Sequence, residues 1–204
     1  MFPSRDREFQ IFEQGFGTIA CIDEVGRGAI AGPVVLGLVV VQPIMGEVPV
    51  GLRDSKLLSP VRRGVLDGLV REWAVNCAIG EASAQEIDDM GIMRAMALAG
   101  SRALSVLPQL PDAILLDGNI DYLAHLTSVP VHTEVKADVH CSGVAAASII
   151  AKVYRDHLMC ELDIAVPGYS LALNKGYSAP AHREAIQALG LTHLHRRSWN
   201  IHGG

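Results

Sequence analysis

Two apolar stretches, Thr18–Asp23 and Val34–Gln42, lie on either side of a short glycine-rich turn and constrain this chain more than any other segment. Their Ile, Val, Leu and Ala content, at this length, reads as buried strands, and the short connection pairs them antiparallel. A buried pair needs further layers to cover it. With 204 residues and 50% hydrophobic content, the chain can supply them within one domain. Aromatic residues make up only 5%, so the core is built chiefly from aliphatic and alanine contacts.

The covering layers can be read in turn. Residues 1–17 form a polar lead-in. Ser59 before Pro60 predicts a helix running to about Val75, with Leu66, Leu69, Val70 and Trp73 on one face. Asn76–Ser83 is a strand candidate, and Ser83 with Glu86 three residues on has the pattern of a capping box. Gly91 interrupts, and Ile92–Leu107 is helical in composition. Ala113–Asp117 and Val129–Thr133 are short strands, and Cys141 to about Ile164 is the longest helix. Its Ala145-Ala146-Ala147 face is small enough for close approach to a sheet. Pro180–Leu189 is a last helix, with Gly190 expected as an αL cap. Strands first, then strands alternating with helices, give an α/β fold with a mixed sheet covered by helices.

The first strand ends in two adjacent carboxylates, Asp23 and Glu24, followed by Gly26-Arg27-Gly28. Adjacent acids at the end of a buried strand cost desolvation and mutual repulsion, and a divalent metal offsets both. An ordinary strand exit with solvated acids is the alternative. Asp117 ends a second apolar strand, and Asp138 precedes the alanine-rich helix. Taken singly, Asp117 is a turn former and Asp138 a helix-start anion. Together the four have the character of a magnesium site, because hard divalent cations take oxygen ligands.

These acids belong to a longer ordered set. It includes Asp23-Glu24-Val25-Gly26-Arg27-Gly28 with Gly32-Pro33-Val34, then Asp54-Ser55-Lys56 with Leu58-Ser59, and Leu116-Asp117-Gly118-Asn119. It continues through Asp138, Ala145–Val153 and Arg155-Asp156 to Asn174-Lys175-Gly176-Tyr177, His182 and His195-Arg196-Arg197-Ser198. In this order and coverage the chain resembles the type 2 ribonucleases H, the ribonuclease HII family. Departures from the family pattern are Leu57 for a frequent lysine, Ala137 for a glycine, His140 for a lysine, and Ser178-Ala179 for Pro-Thr. None falls on the acids.

The resemblance implies a ribonuclease H-like mixed five-stranded sheet flanked by helices, with a helical C-terminal extension. The expected organisation is one catalytic domain over 1–204, with a core of about 18–165 and a C-terminal portion of about 166–204. The implied activity is endonucleolytic hydrolysis of RNA in RNA–DNA hybrids and nicking 5′ of ribonucleotides embedded in duplex DNA. Two-metal hydrolysis with Mg2+ or Mn2+ would leave a 3′-hydroxyl and a 5′-phosphate. Asp23, Glu24, Asp117 and Asp138 are the expected catalytic and metal-binding residues, with Asp23 bridging. Gly26, Arg27, Gly28, Lys56 and Tyr177 are the expected substrate contacts. The glycine loop would read the 2′-hydroxyl through backbone N–H and C=O groups, Arg27 would hold a phosphate, and Tyr177 would stack on the next deoxyribose. Alternatives stay open for three of these: Arg27 balancing the acids, Lys56 as an exposed loop lysine, and Tyr177 packed in the core. The roles of His140, His182, His195, Arg196 and Arg197 are left open. Rival functions are a type 1-like ribonuclease H needing several consecutive ribonucleotides, and a non-catalytic hybrid-binding module.

The formal charge of −5 permits a nucleic-acid substrate without arguing for one. Bound metal would neutralise the clustered acids. From Asn174 onward, Lys175, Arg183, Arg196 and Arg197 face a single acid, Glu184. No apolar run approaches the ~20 residues of a membrane helix. The start lacks the apolar core of a secretory signal, so a cytoplasmic protein is expected. A monomer is expected separately. Cys21, Cys77, Cys141 and Cys160 are widely spaced and read as reduced thiols. The terminal Ser198–Gly204 shows no evident clamp-binding peptide.

Overall fold

The structure is a computed structural model that describes residues 2–201. At its centre, β1 (Ile19–Val25) and β2 (Val34–Val41) pair antiparallel, with Ile19 opposite Val41 and Val25 opposite Val35. β3 (Asn76–Ala82) adds antiparallel to β2, while β4 (Ala113–Asp117) and β5 (Val131–Glu134) run parallel to β1 on its other side. The order is β3-β2-β1-β4-β5, the five-stranded mixed sheet implied by the resemblance.

Successive strand residues feed opposite layers. Ile19 and Cys21 of β1, Val39 and Val41 of β2, and Ala113 and Leu115 of β4 enter one core. Ala20 and Ile22, Leu36 and Leu38, and Ile114 and Leu116 enter the other. Burial on both faces is why these strands are continuously apolar rather than alternating. α2 (Pro60–Trp73) and α6 (Ser142–Ala165) cover the first face, and α3 (Ala84–Met90) and α4 (Ile92–Ser105) the second. α6 lies very close: a Cβ at Gly37 of β2 would run into the Ala147 carbonyl oxygen.

Both sequence-read caps form. Ser59 Oγ accepts the Arg62 N–H at 3.3 Å, and Ser83 with Glu86 makes a reciprocal capping box. The amino ends of β1 and β4 are clipped by Asp112, whose Oδ2 accepts from the Gly17 and Thr18 N–H groups at 3.0 and 2.8 Å.

Several expectations are corrected. The polar lead-in holds a helix, α1 (Asp6–Phe12), whose buried Glu8 accepts the Gly143 N–H at 2.8 Å near the start of α6. α5 (Ala137–His140) and α7 (Leu171–Asn174) also escaped the sequence reading. Leu69 is 39% exposed, leaving Leu66 and Val70 as the buried stripe of α2. α8 (Pro180–Leu189) ends at Gly190 as expected, but with φ 82 and ψ −174, which is not an αL cap. α7 and α8 meet Ile30, Ala31 and Met159 in a satellite core that ties the C-terminal portion to the turn after β1. All four cysteines are free. Among the described residues no helix is long and apolar enough to cross a membrane.

Candidate metal centre

Parallel pairing sets Ile22 of β1 beside Leu116 of β4. The next residue on each strand, Asp23 and Asp117, therefore stands at the carboxyl edge of that parallel pair, Asp23 still opposite Gly37 of β2 and Asp117 opposite Glu134 of β5, and Glu24 follows. Asp23, Glu24 and Asp117 each present a carboxylate oxygen, and the three lie within 4.8 Å of one another. Asp138 arrives on α5, which begins after Lys136 in a left-handed conformation (φ 60). Its N–H approaches Asp117 Oδ1 at 3.4 Å, and its own Oδ2 accepts from Lys56 Nζ at 2.8 Å. The four acids read from the sequence thus meet at one edge of the sheet.

Burial pushes the Asp23 carboxyl well above the ordinary carboxylate range, and the charges of Glu24, Asp117 and Asp138 push the same way. Burial also raises Glu24 and Asp117, against the opposing charge of Arg27 on the first and with the added charge of Asp138 on the second. Burial works against the Lys56 charge, yet the Asp138 hydrogen bond, with Asp54 and Asp23, raises its pKa. This is the signature of an anionic pocket short of positive charge, built only from hard oxygen donors, and it fits a magnesium- or manganese-sized cation.

One neighbour was not singled out from the sequence. Burial raises the Tyr122 pKa well above normal, with Glu24, Asp23 and Asp117 adding to it, and its hydroxyl has no hydrogen-bond partner among the described residues. A tyrosine five residues after a strand end carries no sequence signal for this placement.

Lys56 bonds an acid of the cluster while 72% of its side chain stays exposed. This ion pair with Asp138 is a role additional to the phosphate contact or exposed loop lysine expected for Lys56. Asp54 Oδ1 caps the turn that carries it, accepting the Lys56 N–H at 3.0 Å. The half-exposed Arg27 places Nη1 3.5 Å from Glu24 Oε1, the acid-balancing contact held open above.

The Gly26-Arg27-Gly28 turn departs from the expectation that both its N–H and C=O groups are uncovered. Arg196 Nη2 donates to the Gly26 carbonyl at 2.6 Å and Nη1 to the Arg27 carbonyl at 2.8 Å, with further bonds to Gly32 O at 3.2 and 3.0 Å. The N–H groups of Gly26, Arg27 and Gly28 make no hydrogen bond among the described residues. Arg155 is placed alongside, its Nε, Nη1 and Nη2 donating to Pro33, Lys175 and Ala31 carbonyls at 2.9, 2.8 and 3.2 Å. Both arginines are 0% exposed. For Arg155 a signal existed, since Ala151, Arg155 and Met159 form one i, i+4 stripe of α6 buried along its length.

Tyr177 is 39% exposed, with its ring centroid 5.7 Å from the Arg155 guanidinium, so it is not a core-packing residue. Its segment joins the loop directly: the Gly176 carbonyl accepts from the Ile30 and Ala31 N–H groups at 2.9 and 3.1 Å. Behind it, His182 Nδ1 lies 2.9 Å from the Tyr177 carbonyl, His182 Nε2 lies 3.2 Å from His195 Nε2, and His195 Nδ1 accepts the Thr192 N–H at 3.0 Å. One protonation pattern satisfies all three contacts: both rings neutral, His182 carrying its hydrogen on Nδ1 and His195 on Nε2. Burial lowers both pKa values, that of His195 to about 4 with His182 contributing.

Comparison with known proteins agrees with this geometry. A family model described as ribonuclease HII matches residues 20–202. A ribonuclease HII from Streptomyces griseus is 48% identical over 190 residues, covering 91% of this chain and 78% of its own. The ribonuclease HII of Archaeoglobus fulgidus, solved as a complex with PCNA, superposes with a TM-score of 0.74 at 27% identity, covering 90% of this chain and 95% of that one. Bst-RNase HIII in complex with Mn2+ gives a TM-score of 0.72 at 25% identity, covering 91% of this chain and 68% of that one. The PCNA complex leaves the expectation of no clamp-binding peptide without support, and His202–Gly204 of that segment lie outside the described residues. With the family model matching nearly the whole chain, the protein belongs to the ribonuclease HII family, metal-dependent ribonucleases H that act on RNA–DNA hybrids.

Proposed function

We propose that this chain cuts the RNA strand of RNA–DNA hybrids endonucleolytically and nicks duplex DNA on the 5′ side of a single embedded ribonucleotide, leaving a 3′-hydroxyl and a 5′-phosphate. The observation that carries this reading is the convergence of Asp23, Glu24 and Asp117 within 4.8 Å, with Asp138 beside them, next to a loop of free backbone N–H groups. Asp23, Glu24, Asp117 and Asp138 would hold two magnesium or manganese ions, which when bound would supply Lewis-acid stabilisation of the phosphoryl charge and lower the pKa of the attacking water. Asp23, held opposite Gly37 of β2 one residue past the pairing of β1 with β4, offers the most rigid oxygen of the set and would be the ligand shared by the two sites. Lys56 keeps Asp138 oriented and leaves the rest of its ammonium toward solvent, where a substrate phosphate approaches.

The free N–H groups of the Gly26–Gly28 turn donate to the ribose 2′-hydroxyl oxygen, which DNA lacks. Arg27 turns from Glu24 to a neighbouring phosphate, and the exposed Tyr177 ring stacks on the deoxyribose that follows. One domain does this work, a core of about 18–165 with the portion of about 166–204 packed beside the loop.

The test is cleavage of a duplex carrying one ribonucleotide, with its all-DNA twin as control, in magnesium. A single nick 5′ of the ribonucleotide supports the reading. Cutting only where several ribonucleotides are consecutive returns the type 1-like alternative, and binding without cutting returns the hybrid-binding module.

A further inference from the structure

Of the groups that the chemistry above leaves unused, the two buried arginines are the most heavily committed. Together they engage six main-chain carbonyls, those of Gly26, Arg27, Ala31, Gly32, Pro33 and Lys175. Neither meets a carboxylate within ion-pair distance among the described residues. A buried cation is ordinarily matched by an acid, and bonding it to backbone dipoles alone is a costly way to neutralise it. What carbonyl bonds do provide is a fixed backbone. The arginines come from different places, Arg155 from α6 and Arg196 from the segment after α8, and they converge on a loop from a third.

The direction of the loop follows from peptide geometry. In a trans peptide the C=O of one residue and the N–H of the next point opposite ways. Arg196 draws the Gly26 and Arg27 carbonyls inward, so the N–H groups of Arg27 and Gly28 face away from it, toward the exposed side of the turn. Glycine is needed where the parts touch: a Cβ at Gly26 would run into Arg155 Nε, and one at Gly176 into the Ala31 carbonyl. Burial and the nearby Arg155 lower the Arg196 pKa to about 9, so it stays charged at neutral pH.

We propose that Arg155 and Arg196 are positioning residues for ribose recognition: Arg196 fixes the backbone of the Gly26–Gly32 loop and Arg155 ties that loop to Lys175, so that the outward N–H groups and the Tyr177 ring meet the substrate at a fixed separation. This rests on the reading that those two elements contact the ribonucleotide and the sugar after it. The arginines touch no reacting atom. Their effect passes through the backbone they hold, and it falls on substrate selection rather than on the acids.

Arg196→Lys tests this, because a single ammonium keeps the charge but cannot span the carbonyls of Gly26, Arg27 and Gly32 as a planar fork does. On a duplex with one ribonucleotide its KM is expected to rise about tenfold or more, with a smaller change on a continuous RNA–DNA hybrid. Thermal stabilisation by Mn2+ should stay as in the parent protein, since the acids are untouched. Trp199→Leu removes the ring that lies 4.8 Å from the Arg196 guanidinium while leaving every carbonyl bond, and should shift the same ratio less. It decides the matter by that ratio if Arg196→Lys does not fold. A folded Arg196→Lys protein with the parent ratio of kcat/KM on the two substrates would overturn the proposal. So would an equal loss on both that disappears on cooling, the mark of stability alone. Tyr177→Ala separates the two levels: if it too leaves the ratio unchanged, the ribose-reading role fails, and if it alone shifts the ratio, only the role of the arginines fails.

Discussion

At Asp23 burial, negative neighbours and function pull against one another. The side chain is buried among three other acids, which makes its ionised form unfavourable in the fold. Asp23→Asn keeps the shape and removes an anionic ligand, so cleavage in magnesium should fall by on the order of 10³-fold or more, and Asp117→Asn should do likewise. Stability moves the other way. A carboxyl whose folded-state pKa is raised above its unfolded value of about 3.9 weakens the fold as pH rises through and beyond that value. In a chelator, Asp23→Asn should therefore melt higher than the parent at pH 7–8, the gap closing toward pH 4. A lower melting temperature for the variant at pH 8 would sink this account. Among the proposed substrate contacts, Tyr177→Ala should impair cutting at a lone ribonucleotide more than within continuous RNA. Arg27→Ala should weaken both and reduce the salt dependence of binding, since the proposed phosphate contact would be lost. Asp23, Glu24 and Asp117 were readable in the sequence because they end apolar runs, and Asp138 because it precedes the alanine-rich helix in the ordered set of motifs. Arg196 was not, because its partners are carbonyls far away in the chain and carbonyls leave no mark on residue type.

Between elements, α6 fits β2 so closely at Gly37 that the obstacle to a side chain is the Ala147 backbone rather than a flexible group. Gly37→Ala should cost about 2 kcal/mol or more by urea denaturation, because the helix must move off the sheet. The segment after α8 offers a test in pH. Burial and His182 hold His195 down to about 4, so its neutral form belongs to the fold. Its contribution is complete above the unfolded value of about 6.5 and is lost as pH falls from there toward the folded pKa. His195→Gln should flatten the fall in melting temperature between those pH values, and an unchanged slope would assign the acid sensitivity elsewhere. Long elements announced themselves through apolar runs and serine caps. α1, α5 and α7 span 7, 4 and 4 residues, too few for a 3.6-residue period to show, and what holds α1 in place is partly the distant Gly143 N–H bonded to Glu8.

For the whole molecule the acid cluster is a strain that a divalent ion relieves. Millimolar magnesium or manganese should raise the melting temperature more than sodium at equal ionic strength, since a ligand of the folded state stabilises it by mass action. A melting temperature indifferent to the divalent ion would contradict a preformed site. The architecture was largely readable, since strands buried on both faces cannot hide their composition. The sheet order was not, because nothing local in β1 says that β4 pairs beside it. That pairing also has a kinetic side. Asp112 clips the amino ends of the two strands, while Asp23 and Asp117 repel at the other end. If the strands zip from the clipped end, the acids come together last, beyond the folding barrier. A divalent ion should then lower the unfolding rate and leave the refolding rate almost unchanged, so that the metal acts less as a nucleus than as a latch.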